Sequence, residues 1–96
     1  MPKQMRFDWD QWNEQKNDIK HGVSKLEAES AFFDVNYALF KDIKHSTATE
    51  ERFILYGNSL ENRVLMVGFT RRGQKIRIIT ARPASRKERG LYEQED

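Results

Sequence analysis

The chain has 96 residues, with 17 Lys/Arg against 15 Asp/Glu and no cysteine, which suits one domain over residues 1–96 and excludes disulfides and thiolate metal sites. Its 38% hydrophobic and 33% charged residues are lean for a globular domain but are not the profile of a disordered chain. No apolar run approaches the ~20 residues needed to span a bilayer, and MPKQMRFDWD lacks a signal-peptide core, so a cytoplasmic protein with no membrane contact is expected.

In chain order, Met5–Trp9 predicts a short edge strand. Asp10 can cap a helix running to about His21, with Trp12, Ile19 and the stem of Lys16 on a narrow apolar stripe. Gly22 supplies the left-handed residue after that helix. Ser24 and Glu27 form a capping box that opens a second helix, whose buried face is Ala28, Ala31 and Phe32. The two helices make a hairpin or corner.

Val35–Lys41 predicts a strand, and Asp42–Glu51 a polar loop. Arg52–Asn58 is a strand with Arg52, Ile54 and Tyr56 on one face. After a turn at Ser59–Asn62, Arg63–Thr70 is nearly all apolar, which makes it central, and Gly68 is a candidate bulge. Arg71–Gln74 is a tight turn with Gly73 at positive φ. The strand Gly73–Ala81 follows; Pro83 ends the ladder, and Ala84–Tyr92 predicts a short helix. The order is β-α-α-β-β-β-β-α. This is an α+β fold, mostly antiparallel, with an N-terminal helical hairpin on one face of the sheet and a short C-terminal helix.

From Arg71 to Arg89 there are eight Lys/Arg and one acid, Glu88, a local charge of +7 in a chain of +2 overall. Cation concentrated on one strand and its exit points to an anionic polymer. Metal chemistry is not indicated: His21 and His45 are too few and too far apart for a ligand set, and there is no Gly-rich phosphate loop.

RNA cleavage without metal fits the basic residues. The ribose 2′-OH attacks its own phosphate, and fixed guanidinium groups stabilise the charge that develops on the phosphoryl oxygens. Arg77 and Arg82 fall on opposite faces by simple alternation, so either a bulge reunites them or Arg82 acts from the strand end. Arginine stays protonated and cannot be the base. The proton acceptor comes from His45, His21, Lys20 or the Glu50–Glu51 pair; histidine suits neutral pH best, and His45, just before Arg52, is preferred. Each residue also has a plain alternative: Arg77 a salt-bridged strand arginine, Arg52 a partner of Glu50 or Glu51, His45 a surface loop residue. Tyr92, Tyr56 and Trp9 could stack on bases but are more often core.

FDWD (Phe7–Asp10), KHGV (Lys20–Val23), FFD (Phe32–Asp34), His45-Ser46, EERF (Glu50–Phe53), RVLMVGFTRRG and IRIITARPASRKERGLYE (Ile76–Glu93) together resemble the BrnT toxin family, the toxin half of BrnT/BrnA toxin–antitoxin pairs. The resemblance covers Phe7 to about Glu93. It implies a RelE-like ribonuclease fold that cleaves RNA and inhibits translation and growth. It also implies a BrnA-like ribbon–helix–helix antitoxin as partner, with DNA met only through that complex. Carried onto this chain, the family's basic positions are Lys20, Arg52, Arg77, Arg82 and Arg86. The expected catalytic set is therefore Arg52, Arg77, Arg82, His45 and Lys20, with Arg86, Lys75, Arg71 and His21 as RNA contacts and no metal or cofactor. Thr80 departs from the Ser common before Ala-Arg in the family, a conservative change; Pro83 after Arg82 puts that arginine's reach in question. A non-catalytic nucleic-acid-binding or regulatory module is the competing reading.

Overall fold

A computed structural model describes residues 5–9 and 22–93. Five strands form one mixed sheet in the order β1-β5-β4-β3-β2: β1 Arg6–Trp9, β2 Ala38–Lys41, β3 Arg52–Asn58, β4 Val64–Arg72 and β5 Lys75–Pro83. Strands β2 to β5 are an antiparallel meander, and β1 pairs parallel to β5. Helix α1 (Lys25–Ser30) continues into a 3₁₀ turn at Ala31–Phe33, and helix α2 (Arg86–Glu93) ends the described chain. No described helix is long and apolar enough to cross a membrane.

The α+β class holds, and the nearly all-apolar β4 is central. The N-terminal helical hairpin is not borne out. The chain opens on a strand, and among the described residues a single short helix lies between β1 and β2; the helix expected over Asp10–His21 lies outside the described residues. Val35–Lys41 contributes only four strand residues: the Asp34 carboxylate accepts from the Asn36 N–H and the Asp34 carbonyl from the Tyr37 N–H. That turn holds Val35 outside the sheet, 90% exposed. The capping box at α1 is half formed, with the Glu27 N–H donating to Ser24 Oγ. Glu27 itself turns inward, to Ser59 Oγ and to Arg63 Nε and Nη2, all at 2.7 Å.

The decisive irregularity is in β5. Phe69 pairs with Ile78, but Gly68 pairs with Thr80, so Ile79 is an extra residue. The bulge moves Thr80 and Arg82 onto the face of Lys75 and Arg77, and returns Ala81 to the face of Ile76 and Ile78. Simple alternation had separated Arg77 from Arg82; of the two routes left open, the bulge is the one taken.

The sheet thus has two unlike faces. Leu55, Leu65, Val67, Ile78 and Ala81 close against Val23, Ala28, Ala31 and Phe32 of the α1 segment and form the core. The opposite face carries a smaller cluster, Ala38, Tyr56 and Met66, packed by Tyr92 of α2. Beyond that cluster this face is open among the described residues, and its row of paired positions runs Arg52–Thr70–Arg77–Asp8 across four strands.

Candidate active site

On the open face the loop after β2, the start of β3, the bulged half of β5 and α2 enclose a cleft of about 250 Å³. Its walls include Asp42, His45, Arg52, Thr80, Arg82 and Glu88. Gly68 helps make the hollow, since a Cβ there would press Thr80 Cγ2 at 3.1 Å. One glycine thus serves both the bulge and the depression beside it.

The loop that carries His45 is stitched down rather than loose. The Asp42 N–H donates to the Arg52 carbonyl at 2.8 Å. Ser46 Oγ donates to the Asp42 carbonyl and accepts from the Arg52 N–H, and Thr47 and Glu50 bond each other through both backbone and hydroxyl. Within this frame Asp42 Oδ2 lies 2.8 Å from His45 Nδ1, and Oδ1 accepts the His45 backbone N–H at 3.3 Å. A carboxylate at that distance fixes the tautomer with the proton on Nδ1, so Nε2 is the basic nitrogen. His45 remains 58% exposed, open to a substrate.

Arg52 donates from Nε to Glu50 Oε1 at 3.0 Å, and its two terminal nitrogens make no bond among the described residues. Arg82 is held more firmly, by two parallel bonds of 2.8 and 2.9 Å to Glu88. Glu88 is itself fixed as the glutamate of a capping box, accepting from the Ser85 N–H while its own N–H donates to Ser85 Oγ. The bonds from Arg82 hold the Glu88 carboxyl down at about 2, against the opposing effect of burial. Glu88 in turn raises the Arg82 pKa. Tyr56, whose hydroxyl reaches Glu88 at 3.5 Å, is pushed up by burial and then by that charge.

Three of the expected catalytic residues, His45, Arg52 and Arg82, therefore meet in one cleft. Arg77 does not line it. It sits two strands from Arg52 in the open-face row, about 10 Å by strand spacing, and donates from Nε and Nη2 to Asp8 Oδ2 at 3.1 and 2.7 Å. The salt-bridged reading describes its position. Lys20 and His21 lie outside the described residues. Of the expected RNA contacts, Arg71 borders a groove on the other face of the sheet, and Lys75 reaches the rim of that groove from the face of Arg77 and Asp8. Arg86 is exposed and lies two residues, about 200° around the helix, from the inward-facing Glu88.

The +7 segment divides accordingly. Arg72, Arg77 and Arg82 are paired with Glu50, Asp8 and Glu88, Lys75 acts on Asp8 without a direct bond, and Arg71, Arg86, Lys87 and Arg89 have no acidic partner among the described residues. Sequence reasoning named Glu50 as a partner of Arg52 but missed the other carboxylates that hold the site. Asp42, three residues before His45, and Glu88, three after Ser85, had readable local signals. Asp8, 69 residues from Arg77, had none. Among the described residues no three His, Cys, Asp or Glu are grouped to hold a metal ion.

The arrangement pairs an oriented imidazole with two guanidinium groups fixed by carboxylates. It can take a proton from a hydroxyl and steady an anion beside it. Residues 9–88 match the family model described as the ribonuclease toxin BrnT of type II toxin–antitoxin systems. The fold is similar to that of the Brucella abortus ribonuclease toxin BrnT in its crystal structure, with a TM-score of 0.62 and 24% identity over 86% of this chain and 100% of that one. No curated protein matches the sequence significantly. With the family model spanning the strand face, the cleft and the start of α2, the chain belongs to the BrnT family of ribonuclease toxins of type II toxin–antitoxin systems.

Proposed function

We propose that this chain is a metal-independent endoribonuclease in which the cleft between β3, β5 and α2 is the active site. His45 Nε2 takes the proton from a ribose 2′-OH. The oxygen attacks the adjacent phosphorus, and the P–O5′ bond breaks as the 5′-oxygen takes a proton from water, giving a 2′,3′-cyclic phosphate and a 5′-hydroxyl end. Negative charge that gathers on the phosphoryl oxygens is met by the free terminal nitrogens of Arg52 and by Arg82. Asp42 keeps the imidazole in the productive tautomer, and Glu88 and Glu50 hold the guanidinium groups in place before substrate arrives. Arg77 acts on the site only through the field of its strand, offset by Asp8. Unpaired cations elsewhere, Arg86 among them, attract the polyanion.

The observation that carries this reading is the convergence of His45, backed at 2.8 Å by Asp42, with Arg52 and Arg82. The metal-free mechanism is supported by the state of the nearby carboxylates: Asp42, Glu50 and Glu88 are each bonded to a cationic side chain or to the imidazole. The partner, on the family resemblance, is a BrnA-like ribbon–helix–helix antitoxin. The test is incubation of the purified chain with RNA in excess EDTA, followed by end analysis. Cyclic phosphate ends that vanish in His45→Ala support the mechanism. Dependence on added divalent metal, or 5′-phosphate ends, overturns it; salt-dependent binding without turnover would favour the non-catalytic module.

A further inference from the structure

The described residues do not fully cover the core face of the sheet. Beyond the 3₁₀ turn, toward the β4–β5 turn, lies an apolar groove of about 200 Å³. Its lining includes Phe32, Tyr37, Leu39, Leu55, Phe69 and Ile76, and Arg71 and Lys75 stand at one end. Leu39, on the edge strand β2, is 48% exposed. Water-exposed apolar surface of this kind, bordered by polar groups, marks a place where another molecule sits.

Two features identify the occupant. The three phenylalanine rings of the groove are already engaged with one another: Phe53 stacks on Phe69 at 5.5 Å, and Phe32 meets Phe69 edge-on at 5.1 Å. The groove therefore offers a hole for an alkyl or aromatic side chain rather than a platform for a nucleobase. Arg71, unlike the arginines of the cleft, has no acidic partner among the described residues, so a carboxylate brought by an incoming chain would complete it. We propose that this groove anchors the protein antitoxin. A large apolar side chain would fill it, on a segment whose acidic residue reaches Arg71. The proposal rests on the chain's being a toxin of a type II system, and not on the catalytic mechanism. It puts an antitoxin anchor on the face of the sheet opposite the His45 cleft.

The test titrates the purified chain with the antitoxin protein encoded beside its gene. Leu39→Asp and Arg71→Glu should each weaken binding by at least about tenfold, as truncating an anchor or reversing a complementary charge does. Leu39→Asp should keep the parent's RNA cleavage rate and circular dichroism, and its toxicity should no longer be relieved by co-expressed antitoxin. If Leu39→Asp loses its fold, the exposed Arg71→Glu decides. Antitoxin affinities within about twofold of the parent in the folded variants overturn the proposal. So does a Leu39→Asp variant that loses RNA binding while still taking antitoxin, since that assigns the groove to RNA. Because antitoxin binding and RNA cleavage are read separately, failure here leaves the His45 mechanism untouched, and the reverse also holds.

Discussion

The two faces of this sheet are built from alternate residues of the same strands, yet they differ in kind. On the core face, Leu65, Val67, Ile78 and Ala81 are each fully buried, and what holds them is apolar contact with α1 and Phe32. On the open face, Arg52, Arg77 and Arg82 are part-exposed and each is aimed by a carboxylate. Dispersion and water exclusion are forgiving of which side chain supplies the surface. A bidentate ion pair fixes a guanidinium in direction as well as place. The first face holds the fold together, and the second holds the candidate site.

That contrast is most sharply broken by His45→Ala. RNA cleavage should fall by about 10²–10⁴, the range for loss of a positioned base, while the urea midpoint stays within about 0.5 kcal/mol of the parent because the ring is an exposed group. A large stability loss would mean that the cleft is structural. Asp42→Asn should follow the same pattern with a smaller loss of rate, since an amide no longer fixes the proton on Nδ1. The mirror experiment is Phe32→Ala, which removes a ring in edge-on contact with both Phe7 and Phe69. It should cost about 3–5 kcal/mol, and activity should disappear only as the unfolded fraction grows.

Glu88→Gln should touch stability and activity together. It removes one side of the Arg82 pair and weakens the α2 cap, and about 1–2 kcal/mol of stability should go. Cleavage should fall as well, because Arg82 is no longer aimed. If the rate rises instead, Glu88 competes with the phosphate for Arg82 rather than positioning it.

The smallest effect is the pH dependence. Glu88 titrates at about 2, below its ordinary 4.5, through its bonds from Arg82. Its contribution is complete above 4.5 and is lost as pH falls toward 2. Tyr92 has the opposite sign: burial, then its bond to Asp34, raises it to about 12 from 10. Its share is complete below 10 and is lost as pH rises through 12. Thermal melts should fall at both extremes, and Glu88→Gln should flatten only the acid arm.

Much of this architecture was legible in the chain. The five strands, the central place of β4 and the turn at Gly73 with φ of 62° follow from alternation, apolar runs and glycine placement, whereas the bulge expected at Gly68 falls on the facing strand, with Ile79 of β5 as the extra residue. The short β2 was over-read because Val35 and Asn36 look like strand residues until Asp34 ties them into a turn. The site was legible as a set of residue types, and His45, Arg52 and Arg82 do come together. Arg77 was not separable from them by sequence. It has the same chemistry and the same strand, and what sets it apart is Asp8, on a strand at the other end of the chain.

By itself the sequence determined the pattern of strands, the family and the fact that cation is gathered on β5 and its exit, because periodicity, capping and charge density are written over a few neighbouring residues. Only the tertiary structure decided which cations are held, which are left open, and on which side of the sheet each one acts. The reason is geometric: one extra residue in β5 reverses the facing of everything after it, and the carboxylate that meets an arginine is chosen by strand register rather than by distance along the chain.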